Sequence, residues 1–313
     1  MEIIHNILDQ DFSLEYPTTL TIGNFDGIHR GHISILKTIS EISKSNDSIP
    51  GVITFDPHPL KITAPEKAPG LLTSTDEKLR VLEEQNTKIV ILIPFDRRFS
   101  RYSANWFVEE ILIRRLHAKH IVIGVNHFFG RNREGDVKFL EKVLPARGIG
   151  LDVVVPVHGN GDMVSSSKVR KVLYGGDFEG AVEMLGHSYP LFGKVVSGKG
   201  VGKTLGYPTI NIDVEEDKIA PPQGVYACII KRYGESVGGM LYIGKRPTFG
   251  GKTRVIEISC FCPLAIEVGD YIEAYALKYF RADMKFESKE LLVEQIRRDE
   301  KLISSYLAKH KID

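Results

Sequence analysis

Two histidines three residues apart, His29 and His32, close the stretch Gly23-Asn24-Phe25-Asp26-Gly27-Ile28-His29-Arg30-Gly31-His32. At a helix start, residues i and i+3 share a face. Both imidazoles could then donate hydrogen bonds to a phosphorus centre whose oxygens gain charge during displacement. Gly31 lets a ligand approach the backbone, and the N–H groups of a first helical turn suit phosphate. A second stretch, Gly124-Val125-Asn126-His127-Phe128-Phe129-Gly130, offers the Asn126 amide to a ligand and aromatic rings to line a pocket. A third, Val164-Ser165-Ser166-Ser167-Lys168-Val169-Arg170, combines the hydroxyls of Ser166 and Ser167 with a helix start and with Lys168 and Arg170. That is the chemistry of a polyphosphate cradle.

Farther along, Ser197-Gly198-Lys199-Gly200-Val201-Gly202-Lys203-Thr204 imitates a P-loop, but Ser197 stands where that motif needs glycine. Leu205-Gly206-Tyr207-Pro208 follows, and proline there prevents the helix on which a P-loop rests its phosphates. A glycine-rich flap over phosphates, using Gly198, Gly200, Lys203 and Thr204, fits better. Thr209 and Asn211, two apart on an extended segment, project to one side. Their neutral oxygens suit Mg²⁺, which also takes phosphate oxygens and water.

These groups need elements to hold them. Apolar runs at residues 18–22, 51–55, 88–94, 120–125 and 151–155 read as strands. Between them, 33–43, 75–85, 105–116 and 136–146 carry a helical period, and the second of these opens on the capping box Ser74-x-x-Glu77. Wholly apolar strands alternating with single helices predict an α/β fold with a parallel sheet covered on both faces. Ligands then bind beyond the carboxyl ends of the strands. After Leu185 the period changes. Strand candidates at 191–196, 225–233, 237–243, 255–261 and 271–278 are separated by Gly/Pro-rich turns, and no helix appears until Ser288. Ser288 is a fitting N-cap for an amphipathic helix bearing Leu291, Leu292, Ile296, Leu302, Ile303 and Tyr306. This pattern predicts a small closed β-barrel with a terminal helix packed outside, and two domains of residues 1–185 and 186–313.

Composition narrows the class. The 313 residues carry 41 Lys+Arg against 40 Asp+Glu, a net charge of +1, so charge gives no argument for a nucleic-acid partner or an acidic disordered tail. The longest apolar runs fall far short of the ~20 residues of a membrane-spanning helix. Met1-Glu2-Ile3-Ile4-His5 has no basic segment before an apolar one, so a cytoplasmic protein is expected, with no membrane partner. Cys228, Cys260 and Cys262 form neither a disulfide framework nor a persuasive metal set.

The His29-x-Gly31-His32 signature and the Ser166/Lys168/Arg170 helix start resemble the nucleotidylyltransferase superfamily, whose sheet is Rossmann-like. More closely, Gly23–His32, Val52-Ile53-Thr54-Phe55-Asp56-Pro57-His58-Pro59, 124–136 and 165–185 resemble the bacterial bifunctional riboflavin kinase/FMN adenylyltransferase family. Pro208-Thr209-Ile210-Asn211 is similar to the family's Pro-Thr-Ala-Asn, with Ile210 for alanine. Gly224-Val225-Tyr226 and Ile243-Gly244-Lys245-Arg246-Pro247-Thr248-Phe249 match the kinase domain as well.

The resemblance implies two transferases using ATP and Mg²⁺. One phosphorylates riboflavin to FMN; the other adenylylates FMN to FAD and releases pyrophosphate. It implies that His29 and His32 contact nucleotide phosphates within a loop that includes Gly23, Phe25, Asp26 and Gly31. Asn126, Ser166, Ser167 and Arg170 would help hold flavin phosphate or pyrophosphate. Glu257 would be the general base for the ribityl hydroxyl. His127 and Lys168 depart from common family residues, as does Ser259-Cys260-Phe261-Cys262-Pro263. A non-catalytic flavin-binding barrel is the alternative for the second half, disfavoured by the joint presence of Thr209, Asn211 and Glu257. A flavin sensor that consumes no ATP is disfavoured by the His29/His32 pair.

Overall fold

In the computed structural model the described residues are 1–159, 162–198, 202, 206–232, 234–248 and 251–310, without the side chains of 246–248 and 251–253. Contacts divide the chain into two units, Met1–Gly70 with Lys78–Ser166, and Leu71–Glu77 with Ser167–Asp313.

The first unit is built on six parallel strands: β1 (Glu2–Ile4), β2 (Thr18–Ile22), β3 (Ile49–Asp56), β4 (Ile89–Pro94), β5 (Ala118–Gly124) and β6 (Gly150–Val154). Their order in the sheet is β1-β4-β3-β2-β5-β6, so the chain starts at one edge with β1 and from β2 onward works outward from the centre, first through β3 and β4 and then through β5 and β6. Strands β2 and β4 are buried almost end to end, which is why β4 reads as an unbroken apolar run and β2 as a run of threonine and aliphatic residues without alternation. Strand β1 pairs Glu2–Ile4 with Ile89–Ile91. At three residues it is too short to leave a period in the sequence.

Helices α1 (Arg30–Ser45), α2 (Pro59–Thr63) and α3 (Thr75–Glu84) follow β2 and β3, and the unit boundary falls inside α3. After β4 come α4 (Ala104–Trp106) and α5 (Val137–Val143). The helix expected over 105–116 departs from α geometry. From Phe107 to Arg115 it is wound as a π-helix, a form used mostly in single turns. Arg115 leaves it to bury its guanidinium on the carbonyls of Ile7, at 2.8 Å, and Asp9.

The second unit is a closed six-stranded barrel. The first unit also carries a two-stranded sheet of β7 (His158–Gly159) and β8 (Asp162–Met163); the strands of the barrel are β9 (Tyr189–Val196), β10 (Ile210–Asp213), β11 (Gly224–Arg232), β12 (Glu235–Thr248), β13 (Gly251–Cys260) and β14 (Tyr271–Arg281). They close in the order β10-β13-β12-β11-β14-β9, all pairs antiparallel. Helices α6 (Ser166–Tyr174) and α7 (Phe178–Leu185) precede the barrel and α8 (Lys289–His310) ends it. Ile303 and Leu307 of α8 pack on Val225, Ala227 and Ile229, the outer face of β11. Phe178 of α7 meets the ring of Tyr226 edge-on at 4.9 Å, and Glu179 accepts the Tyr279 N–H at 3.1 Å. The parallel sheet and the barrel with its terminal helix are both as the sequence predicts.

The segment Leu71–Glu77 belongs to this second unit. Its capping box forms in both directions: Ser74 N–H donates to Glu77 Oε2 (2.8 Å) and Glu77 N–H to Ser74 Oγ (3.2 Å). The same carboxylate accepts the Phe192 N–H of β9 at 2.9 Å and the Lys218 ammonium at 2.7 Å. Neither the Glu77 nor the Lys218 side chain has exposed surface. Lys218 also donates to Leu72 O at 2.5 Å and lies over the Tyr189 ring at 4.1 Å. A buried charge needs such a set of partners, because desolvation of each ion costs several kcal/mol. Among the described residues, no helix is long and apolar enough to cross a membrane.

Candidate active sites

The first candidate site lies beyond the carboxyl end of β2, where the chain must turn into α1 within a few residues. Gly27 has φ 80, and Phe25 (φ 49) and Ile28 (φ 39) also adopt left-handed backbone. For a β-branched isoleucine that is a strained conformation, costing on the order of 1–3 kcal/mol. Burial holds it in place: Phe25, Asp26, Ile28 and His29 are all buried. Two bonds from neighbouring segments fix the loop. Ser166 Oγ, at the start of α6, donates to Asp26 O at 2.8 Å, and Thr54 Oγ1 donates to Asn24 O at 3.1 Å. Gly23 faces the Phe25 ring, which a Cβ would approach to 3.2 Å.

His29 is the N-cap of α1 and its side chain makes no capping bond to the helix. The two imidazoles stack, with centroids 3.8 Å apart and planes 18° from parallel. Gly31 makes room for this, since a Cβ there would come within 3.1 Å of the His29 ring. Burial, then the neighbouring His29 and the Lys78 ammonium, holds the His32 pKa well below the ordinary imidazole value. His32 is therefore neutral at physiological pH and presents one N–H donor. Its Nδ1 is buried with no hydrogen-bond partner among the described residues.

The remaining predicted residues of this group are dispersed. Asn126 is exposed after β5, its Nδ2 3.9 Å from Met163 Sδ. Ser167 is exposed and Arg170 half-buried, both on α6, which from Ser167 onward packs within the second unit.

The second candidate site is set by strand register. Asn211 on β10 pairs with Glu257 on β13, and Glu257 pairs with Tyr242 on β12. Tyr242 pairs with Val225 on β11, and Val225 with Arg281 on β14. One rung of the barrel thus carries Asn211, Glu257, Tyr242, Val225 and Arg281, with neighbouring side chains about 5 Å apart at Cβ. A cavity of about 320 Å³ opens over this rung, and its lining includes Thr209, Glu257, Tyr242 and, from α8, Leu292 and Ile296. Arg281 is fixed there by a bidentate pair with Asp299, its Nε and Nη2 both bonded to that carboxylate at 2.6–3.1 Å.

The glycines of the flap press on the two residues read as metal ligands. A Cβ on Gly198 would fall 2.2 Å from Asn211 Nδ2, and one on Gly202 would fall 3.0 Å from Thr209 Oγ1. The backbone therefore lies directly on these side chains. The donor set suits a hard cation such as Mg²⁺. Among the described residues no cluster of three or more His, Cys, Asp or Glu side chains offers a metal site, so a cation here would rely on neutral oxygens and substrate phosphates. Gly200, Lys203 and Thr204 lie outside the described residues.

Comparison with known proteins assigns the two halves separately. A family model described as FAD synthetase matches residues 12–168, and one described as riboflavin kinase matches residues 185–307. The bifunctional riboflavin kinase/FMN adenylyltransferase of Escherichia coli is 34% identical over 96% of both chains. Its counterpart in Listeria monocytogenes is 30% identical over 98% of both. The chain belongs to the bifunctional riboflavin kinase/FMN adenylyltransferase family. A crystal structure described as a macrolide-efflux protein from Streptococcus pneumoniae shares the fold, with a TM-score of 0.85, 26% identity, and coverage of 97% of this chain and 99% of that one.

Within this family member, the sequence left three neighbours of the sites unmarked. Lys78 is buried, its Nζ donating to Thr54 Oγ1 (3.2 Å) and Phe55 O (3.3 Å). It reaches the β2–α1 loop through Thr54, a link that needs three separate segments and leaves no local pattern. Tyr242 and Arg281 join Glu257 only through register, which a strand's own sequence does not encode. The alternation of Met240, Tyr242 and Gly244 along β12 was the one available signal.

Proposed function

We propose that this protein makes FAD from riboflavin in two ATP-dependent transfers, phosphorylation at the barrel cavity and adenylylation at the His29/His32 loop. The observation that carries this reading is that each unit has its own set of groups suited to phosphate chemistry, a stacked imidazole pair at a helix start in one and the Asn211–Glu257 rung in the other. We assign adenylylation to residues 1–185 and phosphorylation to 186–313. Helices α6 and α7 go with the first assignment for Ser167 and Arg170, although they pack within the second unit.

In the first step the terminal ribityl hydroxyl attacks the γ-phosphorus of ATP and ADP leaves. Glu257 takes the hydroxyl proton as the new O–P bond forms. Thr209 and Asn211 would hold Mg²⁺, which when bound draws charge from the ATP phosphates. Gly198, Gly200, Lys203 and Thr204 are assigned to the phosphates of ATP.

In the second step an FMN phosphate oxygen attacks the α-phosphorus of ATP, the bond to the bridging oxygen breaks, and pyrophosphate leaves. No enzyme group is covalently modified, so the work is alignment and charge stabilisation. His29 and His32 donate N–H groups to the non-bridging oxygens. Because His32 is held neutral, it donates without first taking up a proton. Gly23, Phe25, Asp26 and Gly31 shape this nucleotide loop. Asn126, Ser166, Ser167 and Arg170 are assigned to phosphate and flavin contacts.

The test is to incubate the full chain with riboflavin, ATP and Mg²⁺ and to separate the flavins over time. FMN should appear first and FAD after it. FAD arising only when FMN is supplied overturns the kinase assignment, and FMN accumulating without FAD overturns the other.

A further inference from the structure

Tyr242 is half-buried at the cavity wall, and the phosphoryl-transfer scheme gives it no task. It stands directly opposite Glu257 on the neighbouring strand, so phenol and carboxylate project side by side. Its ring does not point straight outward but leans along β12 over Gly244, where a Cβ would fall 2.4 Å from the phenol oxygen. The absence of a side chain at Gly244 thus fixes where the hydroxyl can lie.

The hydroxyl proton is also committed. Tyr242 Oη donates to Asp283 Oδ1 at 3.0 Å, and the same carboxylate oxygen accepts the Met284 N–H at 2.9 Å, which orients it. Burial, together with Asp283 and Glu257, pushes the phenol up to about 12, so it remains protonated wherever Glu257 is an effective base. A tyrosine hydroxyl has one proton and two lone pairs. With the proton given to Asp283, it can only accept from a ligand.

A bound polyol would therefore meet two unlike neighbours. Glu257 receives the proton of the hydroxyl that is phosphorylated, and the oxygen beside it requires a second donor hydroxyl farther along the same chain. We propose that Tyr242, clamped by Asp283, is a specificity-determining residue that accepts a hydrogen bond from an internal hydroxyl of the ribityl chain. It thereby selects a polyhydroxylated chain over a plain ω-hydroxyalkyl one. The inference rests on the assignment of riboflavin phosphorylation to the Glu257 cavity. A site built to bond a substrate hydroxyl discriminates against an analogue lacking it, because its own polar group is left unpaired.

The experiment compares kcat/KM for riboflavin and for a flavin whose N10 substituent is 5-hydroxypentyl, using the full-length protein with ATP and Mg²⁺. Wild type should prefer riboflavin. Tyr242→Phe keeps the ring and should reduce that preference by about fivefold to tenfold, the equivalent of one lost hydrogen bond. Adenylylation of supplied FMN should be unchanged. Asp283→Ala removes an exposed side chain and so spares the core; it should lower the preference in the same direction. An unchanged ratio in both variants, with phosphorylation still dependent on Glu257, overturns the role of Tyr242 alone. If Glu257→Gln phosphorylates riboflavin at the wild-type rate, the cavity assignment falls and this inference with it.

Discussion

The two sites are held in shape by different means. At the start of α1, positions come from a strained loop: Phe25 and Ile28 accept left-handed backbone because burial and the bonds from Ser166 and Thr54 leave them no alternative. At the barrel cavity, Asn211, Glu257 and Tyr242 need no strained backbone, since antiparallel register alone sets them abreast. A loop can bring backbone N–H groups and rings onto one phosphate. A rung instead spaces side chains at regular intervals, which suits an extended substrate that is touched at several points. The difference teaches that a site held by a strained loop and a site held by strand register can be expected to fail in different ways.

The sharpest test of this contrast is a crossover. Glu257→Gln should lower riboflavin phosphorylation by about 10³-fold and spare FMN adenylylation, whereas His32→Ala should lower adenylylation by about 10²–10³-fold and spare phosphorylation. Separate assays of the two steps read both, and loss of both activities in a folded variant would refute separate sites.

The next largest effect concerns stability. Glu77→Ala leaves the buried Lys218 ammonium without its carboxylate. It should destabilise the protein by about 3–5 kcal/mol in denaturant titration. A change within 1 kcal/mol would mean that the pair is solvated.

Glycine substitutions should then separate the two modes of positioning. Gly198→Ala drives a Cβ onto the Asn211 amide and should raise the Mg²⁺ concentration needed for half-maximal phosphorylation by about tenfold. Gly31→Ala comes no nearer than 3.1 Å to any atom, the His29 ring being the tightest contact, and should weaken adenylylation less. The reverse ranking would count against the metal reading of Asn211.

The smallest effect is a pH response. His127 has a buried Nε2 with no hydrogen-bond partner among the described residues, and burial lowers its pKa to about 4. An unfolded chain takes up that proton near pH 6.5. Stability is therefore full above pH 6.5 and falls as the pH drops towards 4, by about 1 kcal/mol at pH 5 once partial exposure is allowed for. His127→Phe should flatten that part of the stability curve. In the same range His32, also held neutral, should add no inflection near pH 6.5 to the adenylylation profile.

The sequence disclosed what is local. Strand β4 is apolar throughout, the Ser74-x-x-Glu77 box marks a helix start, and His29 and His32 meet because they stand three positions apart where a helix begins. Glu257 is singled out as a candidate base only by likeness to a family, for nothing about a strand carboxylate distinguishes a base from a solvent-facing residue. What stayed hidden depends on partners distant in the chain. Tyr242 faces Glu257 because a hairpin sets that register, and Lys78 reaches Asn24 through Thr54. The capping-box reading was correct about Glu77 but gave no hint that its carboxylate also receives Phe192 and Lys218, more than a hundred residues on. The π-winding of Phe107–Arg115 was likewise invisible, since its apolar spacing passes for an ordinary helix.

Leu71–Glu77 gives the barrel a history as well as a partner. A ribosome delivers this short strap long before the first barrel strand emerges, so the carboxylate that neutralises Lys218 is already waiting when that lysine is made. A gene fragment opening at Tyr189 would encode the ammonium without its counter-ion. Anyone transplanting the barrel into another protein must therefore carry over two separate stretches of code.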